Sequence, residues 1–221
     1  MRHTILSPFE NLPYFTIEGF RQIAGDEIAD DVHARVALYR WVNAGHLIAL
    51  KKGIYMHHRF YERHRQEAAF SPMVSAILLP QSYLSLEYVL QQHNILTEVT
   101  YPITAITMKN TRTITNPLGV YTYRHIQVSL YQGFSVVEAF GVPYAIASKA
   151  KALFDYLYLR PLPGALSHYN LAEDLRLNLE DFTFEEQDEF AGYIKHIADN
   201  IMRGVKMRRV MQNLEQFVWQ L

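Results

Sequence analysis

The sequence predicts an α+β protein: a small helical module closed by a basic hairpin, then a mixed α/β domain with a small antiparallel sheet, then a helical carboxy terminus. Three observations carry that prediction. Residues 31–58 hold an amphipathic helical pattern that stops at Asn43-Ala44-Gly45 and runs straight into LIALKKGIYM, two short apolar runs around a Lys-Lys-Gly turn. Residues 103–146 are rich in β-branched side chains and are broken at short intervals by Gly and Pro. From His168 onward the pattern is helical and acidic.

Taken in order, residues 1–15 carry Pro8 and Pro13 and read as a loop or extended arm. Thr16 then caps a short helix through Ile17, Phe20 and Ile23 that stops near Gly25. The next helix begins at Asp30 or Asp31, either of which supplies an N-cap oxygen, and Gly45 supplies the left-handed residue that closes it. At 100° per residue Ala34, Leu38, Trp41 and Val42 share one apolar side, and His33, Val36, Arg40 and Asn43 face the other way. Leu47, Ile48 and Leu50 followed by Ile54 and Tyr55 form two strands, with Gly53 tolerating the turn and Lys51 and Lys52 at its tip. A helix ending on Gly and followed by a basic hairpin is the pattern of a winged helix.

Between Lys51 and Arg65 five Lys/Arg oppose the single acid Glu62, a local formal charge of +4. Cations neutralise DNA phosphates with counterion release, and a helix presenting Arg, Asn and His can bond base edges in the major groove. The candidate DNA-binding residues are therefore His33, Val36, Arg40 and Asn43 on the helix, Lys51 and Lys52 on the wing, and Arg59 beyond it. The plainer alternative is an ordinary solvated hairpin tip with Arg40 a surface charge.

RFYERHRQE at 59–67 reads as a linker or helix start, and the domain boundary is placed after residue 66, giving 1–66 and 67–221. Ala68 to Leu79 is a helix ending at Pro80, and Tyr83 to Leu90 a second one. Ile103–Met108, Thr111–Thr115, Val120–Ile126, Phe134–Phe140 and Val142–Ile146 are strands of the antiparallel sheet. Ser148 to Leu159 is a helix with Ala150, Leu153, Phe154 and Leu157 on one side, followed by a linker at Pro161, Pro163 and Gly164. Helices are expected near Leu171–Leu177, from Glu185 to about Gly204, and in a last stretch to Leu221.

The chain has 221 residues, 49% of them hydrophobic, enough to bury a full core. Its formal charge of −1 is divided unevenly: +2 over residues 1–65, +1 over 66–164 and −4 over 165–221. A basic start and an acidic end fit a nucleic-acid module joined to a part that meets another partner. The absence of cysteine excludes disulfides, thiolate metal sites and thiol catalysis. Apolar runs such as MVSAILLP fall far short of the roughly 20 residues that span a bilayer, and no signal pattern opens the chain. We read it as soluble and cytoplasmic.

No enzyme chemistry is announced. His57, His58 and His64 form the densest histidine cluster, but adjacent strand residues point to opposite faces and nothing completes a four-ligand set, so neither metal nor cofactor is expected. Glu87, Asp155 and Asp174 are scattered carboxylates, and Ser85 and Ser148 read as helix caps rather than nucleophiles. Lys206, Arg208 and Arg209 make a second basic patch, read as charge at a helix end, with contact to a partner protein or to DNA as the alternative. Tyr121, Tyr123 and Tyr131 read as half-buried packing residues.

In order along the chain, ALYRWVNAGHLIALKKGIYM, SYLSLEYVL, LGVYTYRHI and IASKAKALFDYLYL resemble the AbiEi antitoxin family of type IV toxin–antitoxin systems, over about residues 15–180. Where that family often has Pro-Glu-Lys-Ala-Leu-x-Asp, this chain has Lys149-Ala150-Lys151-Ala152-Leu153-Phe154-Asp155, keeping the Lys, the Leu and the Asp but not the Pro or the Glu. The resemblance implies a winged helix that represses its own operon by binding upstream operator DNA, and a larger antitoxin domain that counters a cognate nucleotidyltransferase toxin. The alternative is a stand-alone winged-helix regulator, or a protein-interaction module with only non-specific DNA affinity.

Overall fold

The computed structural model describes residues 4–25, 30–97, 102–162, 170–197 and 201–219. Among them the chain is mixed α+β, with nine α-helices, a three-stranded antiparallel sheet and a six-stranded mixed sheet. It divides into two compact units: Met1–Pro80 with Thr113–Val120 and Glu138–Tyr144, and Gln81–Arg112 with Tyr121–Val137 and Ala145–Leu221.

In the first unit a 3-10 turn at Thr4–Phe9 leads to β1 (Phe15–Thr16), α1 (Ile17–Ala24), α2 (Asp31–Asn43), β2 (Leu47–Lys51) and β3 (Ile54–His57). The sheet order is β1-β3-β2, with Phe15 opposite Tyr55 and Ile48 opposite Met56. The amino-terminal segment is no loose arm. Leu6 and Phe9 are buried in one cluster with Phe15, Phe20, Ala34 and Leu38, because two large apolar side chains three apart on a tight turn have the α1–α2 core to enter. Residues 58–64 form a helix, α3 (His58–His64), and α4 (Phe70–Leu78) follows it, both within the unit that runs on to Pro80; the boundary expected after 66 falls between them.

The helix expected from Tyr83 begins later than the sequence predicts. Ser82–Leu84 is a strand, β4, with Tyr83 opposite Ile106 on one side and Ala145 on the other, and only Glu87–Gln92 is helical (α5). Burial between two neighbouring strands overrides the local pattern. The remaining strands are β5 (Ile103–Thr107), β6 (Arg112–Asn116), β7 (Gly119–His125), β8 (Phe134–Ala139) and β9 (Val142–Ala147), in the order β6-β7-β5-β4-β9-β8. This sheet is mixed, not antiparallel: β5 runs parallel to β7 and β4 parallel to β9. Reading each Gly or Pro turn as a hairpin between neighbours fails here because β5 skips β6 and takes β7 as its partner.

The second unit continues with α6 (Lys149–Leu159), α7 (Leu171–Asp174), α8 (Phe184–Lys195) and α9 (Ile201–Phe217). Every residue of α6 from Ala150 to Tyr158 is buried, as expected of a helix surrounded by others on all sides. The long helix expected from Glu185 to Gly204 is two: α8 opens on a capping box between Thr183 and Glu186 and is capped at His196. The expected linker residues Pro163 and Gly164 lie outside the described residues. Among the described residues no helix is long and apolar enough to cross a membrane.

Candidate functional site

Helix α2 is bounded by local chemistry at both ends. Asp30 accepts from the amide of His33 at 2.8 Å, which holds its carboxyl below the usual range. At the other end the amide of Gly45, φ 76°, donates to the carbonyl of Val42, and that of His46 to Trp41, the two hydrogen bonds of a Schellman motif. Ala34 and Leu38 are buried with Trp41 and Val42 packed beside them, so the helix is fixed by its inner face.

His33, Val36, Arg40 and Asn43 are all exposed on the opposite side. The same face carries residues that the sequence reading passed over: Val32 and Tyr39, 66% and 67% exposed, with Arg35 at its flank. Their helical angles, one turn from Val36 and Arg40, were signal enough. The guanidinium of Arg40 has no hydrogen-bond or ion-pair partner among the described residues.

The hairpin divides its two lysines. Lys52 is exposed at the tip. Lys51, expected on phosphate, turns inward instead: its ammonium donates to the carbonyls of Ile77 and Leu78 at 3.1 and 2.7 Å, at the end of α4. Helix-end carbonyls lack partners and carry partial negative charge, and the cation satisfies both needs. The amide of Ile17 donates to the Gly53 carbonyl and the Asn116 side chain to that of Leu50, so the hairpin is braced from two further directions. Arg59 is exposed but engages both carboxylate oxygens of Glu10, at 3.0 and 2.9 Å, and Arg63 donates to Asn11. Arg65 and His64 face Glu62 and Glu67. Much of the +4 counted along this segment is thus paired within it or with the amino-terminal turn.

His57 is 6% exposed, and its Nδ1 accepts from the amide of Arg59, capping α3. Burial depresses its pKa, with Glu10 opposing the shift and Arg59, His46 and His58 adding to it. Among the described residues no group of three His, Cys, Asp or Glu converges in a way that would hold a metal ion.

The second unit holds an arrangement the sequence reading missed. Asp155 is no isolated carboxylate: Oδ1 accepts from the Lys151 ammonium at 2.5 Å, and Oδ2 accepts from the hydroxyls of Tyr83 at 2.9 Å and Ser85 at 2.8 Å. Lysine and aspartate are both 0% exposed. Ser85 is therefore not a cap, whereas Ser148 is: its oxygen accepts from the Lys151 amide, and its hydroxyl donates to Glu189. The ammonium also lies 4.9 Å from the ring centroid of Phe154 and 5.2 Å from that of Tyr193. Burial pulls the Lys151 pKa down and pushes that of Asp155 up, and each partner's opposite charge resists the shift of the other. The available signal was Lys-x-x-x-Asp inside a helix apolar on all sides, where two charges must pair.

Other expectations change in the same way. Tyr121 and Tyr123 are fully buried, not half-wet, and only Tyr131 is partly exposed. Lys206 sits within α9 rather than at its end, donating to the carbonyls of Tyr158 and Arg160, and burial lowers its pKa to about 8.

Compared with models of known families and with curated proteins, the chain matched none.

Proposed function

We propose that the amino-terminal unit is a winged helix that binds operator DNA upstream of its own operon, in an antitoxin of the AbiEi type whose second unit counters a nucleotidyltransferase toxin. The observation that carries the DNA reading is the outer face of α2, where His33, Val36, Arg40 and Asn43 are exposed on a helix locked from behind. A second helix fixed by its inner face and open on its outer one is what major-groove reading requires. Lys52 on the neighbouring hairpin supplies a phosphate contact; Lys51 and Arg59 leave that role for the internal bonds described above. The antitoxin half rests on the sequence resemblance, including Lys151 and Asp155.

Fluorescence anisotropy against the native upstream duplex and a scrambled one, at one near-physiological salt, tests the proposal. Native DNA should bind about a hundredfold tighter or more. Arg40→Ala should lose about 1–3 kcal/mol on the native duplex only, and should still relieve toxicity when co-expressed with the toxin. Equal binding of both duplexes would refute sequence reading by α2.

One observation favours a second reading, a docking surface for protein: Val32 and Tyr39 place exposed apolar area on the same helix face. In that case both duplexes bind weakly with the same salt dependence.

A further inference from the structure

A cavity of about 320 Å³ lies within the second unit, walled by Leu86 and Glu87 at the start of α5, Arg124 near the end of β7, and Tyr156, Leu159 and Arg160 at the end of α6. We propose that it binds a nucleotide, with Arg124 and Arg160 on the phosphate, Glu87 accepting from the sugar hydroxyls, and Tyr156, Leu86 and Leu159 against the apolar parts. The site is separate from the α2 face and does not depend on it.

The charges make the first argument. Arg124 and Glu87 line one cavity yet do not pair with each other, and neither side chain has a hydrogen-bond or ion-pair partner among the described residues. A ligand carrying an anion at one end and hydroxyl donors at the other satisfies both. Arg160 is already aimed: it donates to the Tyr156 hydroxyl at 2.7 Å with its guanidinium 5.2 Å from the ring centroid. Its carbonyl and that of Tyr158 are tied down by Lys206. Guanidinium groups held in place before binding favour bidentate phosphate recognition. The volume lies at the lower end of the range for small-molecule sites, about 300–1,000 Å³.

The backbone makes the second. Leu86 has φ 60° and ψ −143°, a conformation strained for a bulky side chain. Such residues persist only where their surroundings over-determine them, and they gather at binding sites. Here the surroundings do so. The Ser85 hydroxyl is held by Asp155, the Ser85 carbonyl accepts from the Thr104 hydroxyl at 2.8 Å, and the same Thr104 oxygen accepts from the amide of Tyr88 at 3.0 Å. The buried Lys151–Asp155 pair thereby fixes the wall of the cavity that presents Glu87.

Calorimetric titration of the full chain with the four common ribonucleoside monophosphates, adenosine and inorganic phosphate tests this. At least one monophosphate should bind saturably at one site, with adenosine and phosphate each about tenfold weaker or worse. Arg124 is exposed on its strand, so Arg124→Ala should fold with an unchanged melting temperature while weakening the monophosphate by about tenfold or more. Glu87→Gln should weaken it less, and Arg40→Ala not at all. The proposal is overturned by no saturable binding at millimolar nucleotide, by phosphate binding as tightly as the monophosphate, or by an Arg124→Ala protein that binds like wild type.

Discussion

In the first unit the charged side chains of α2 lie on its outside, beside exposed Val32, Val36 and Tyr39, whereas the second unit carries a lysine and an aspartate that solvent does not reach. Counting charges along the sequence points the wrong way for both. Residues 51–65 are the most basic stretch, yet Lys51 serves two helix-end carbonyls and Arg59 a carboxylate, so few of those cations remain for a partner. Lys151 and Asp155 add no net charge, yet they tie together β4, α6 and α8 and the turn at Ser85 through Tyr83, Ser85, Phe154 and Tyr193. What matters is the partner each charge finds, and the desolvation it must offset to reach it.

Removing one member of the buried pair leaves the other without compensation. Asp155→Ala strands an ammonium and two hydroxyl donors away from water, and should lower stability by about 3–5 kcal/mol in urea denaturation. Replacing both partners, Lys151→Met with Asp155→Leu, should recover the part of that loss due to the stranded ammonium, while the Tyr83 and Ser85 hydroxyls still lack their acceptor. A loss below about 1 kcal/mol for the single variant would place the pair at a site that water reaches.

What the sequence disclosed follows the range of the interactions. Thr16, Asp30, Gly45, Gly53 and Ser148 were legible because a cap or turn is settled by residues three or four apart. The outward face of α2 was legible from its period, short of Val32, Arg35 and Tyr39. The rest depends on distant partners. Asp155 meets residues 70 and 72 positions away, and Lys51 meets carbonyls 26 and 27 away. Tyr83 and Leu84 look helical until β5 and β9 lie on either side of them. Such pairings depend on tertiary structure, and no window of neighbouring residues contains them.

The adjacent lysines of the hairpin carry the same contrast on a smaller scale. Lys51→Ala removes two charge-assisted bonds from the end of α4, and should lower stability by about 1–2 kcal/mol while leaving the salt dependence of DNA binding unchanged. Lys52→Ala should do the reverse, with stability within about 0.5 kcal/mol of wild type and a salt slope reduced by about one. If the two variants exchanged these phenotypes, the inward turn of Lys51 would be wrong. If both shifted the slope, the hairpin would meet DNA along its whole tip.

The smallest effect is expected where a titrating group is buried but has charges of both signs close by. His57 is held below its ordinary pKa by burial, with Glu10 opposing and Arg59, His46 and His58 reinforcing the shift. The unfolded chain therefore takes up this proton at a higher pH than the folded one, and the stability contribution present above about pH 6.5 declines as the pH falls through the lower folded value. Protonation on Nδ1 would also remove the acceptor that caps α3. His57→Asn keeps a side-chain oxygen at the cap and removes the titration, so its denaturation midpoint should fall less between pH 7.5 and 5.5 than that of wild type. His93 in the second unit, depressed by burial and then by Lys149, titrates in both proteins and cancels in the difference. Parallel pH profiles for the two proteins would mean that His57 is protonated at no cost to the fold, and that the capping hydrogen bond at Nδ1 contributes nothing measurable.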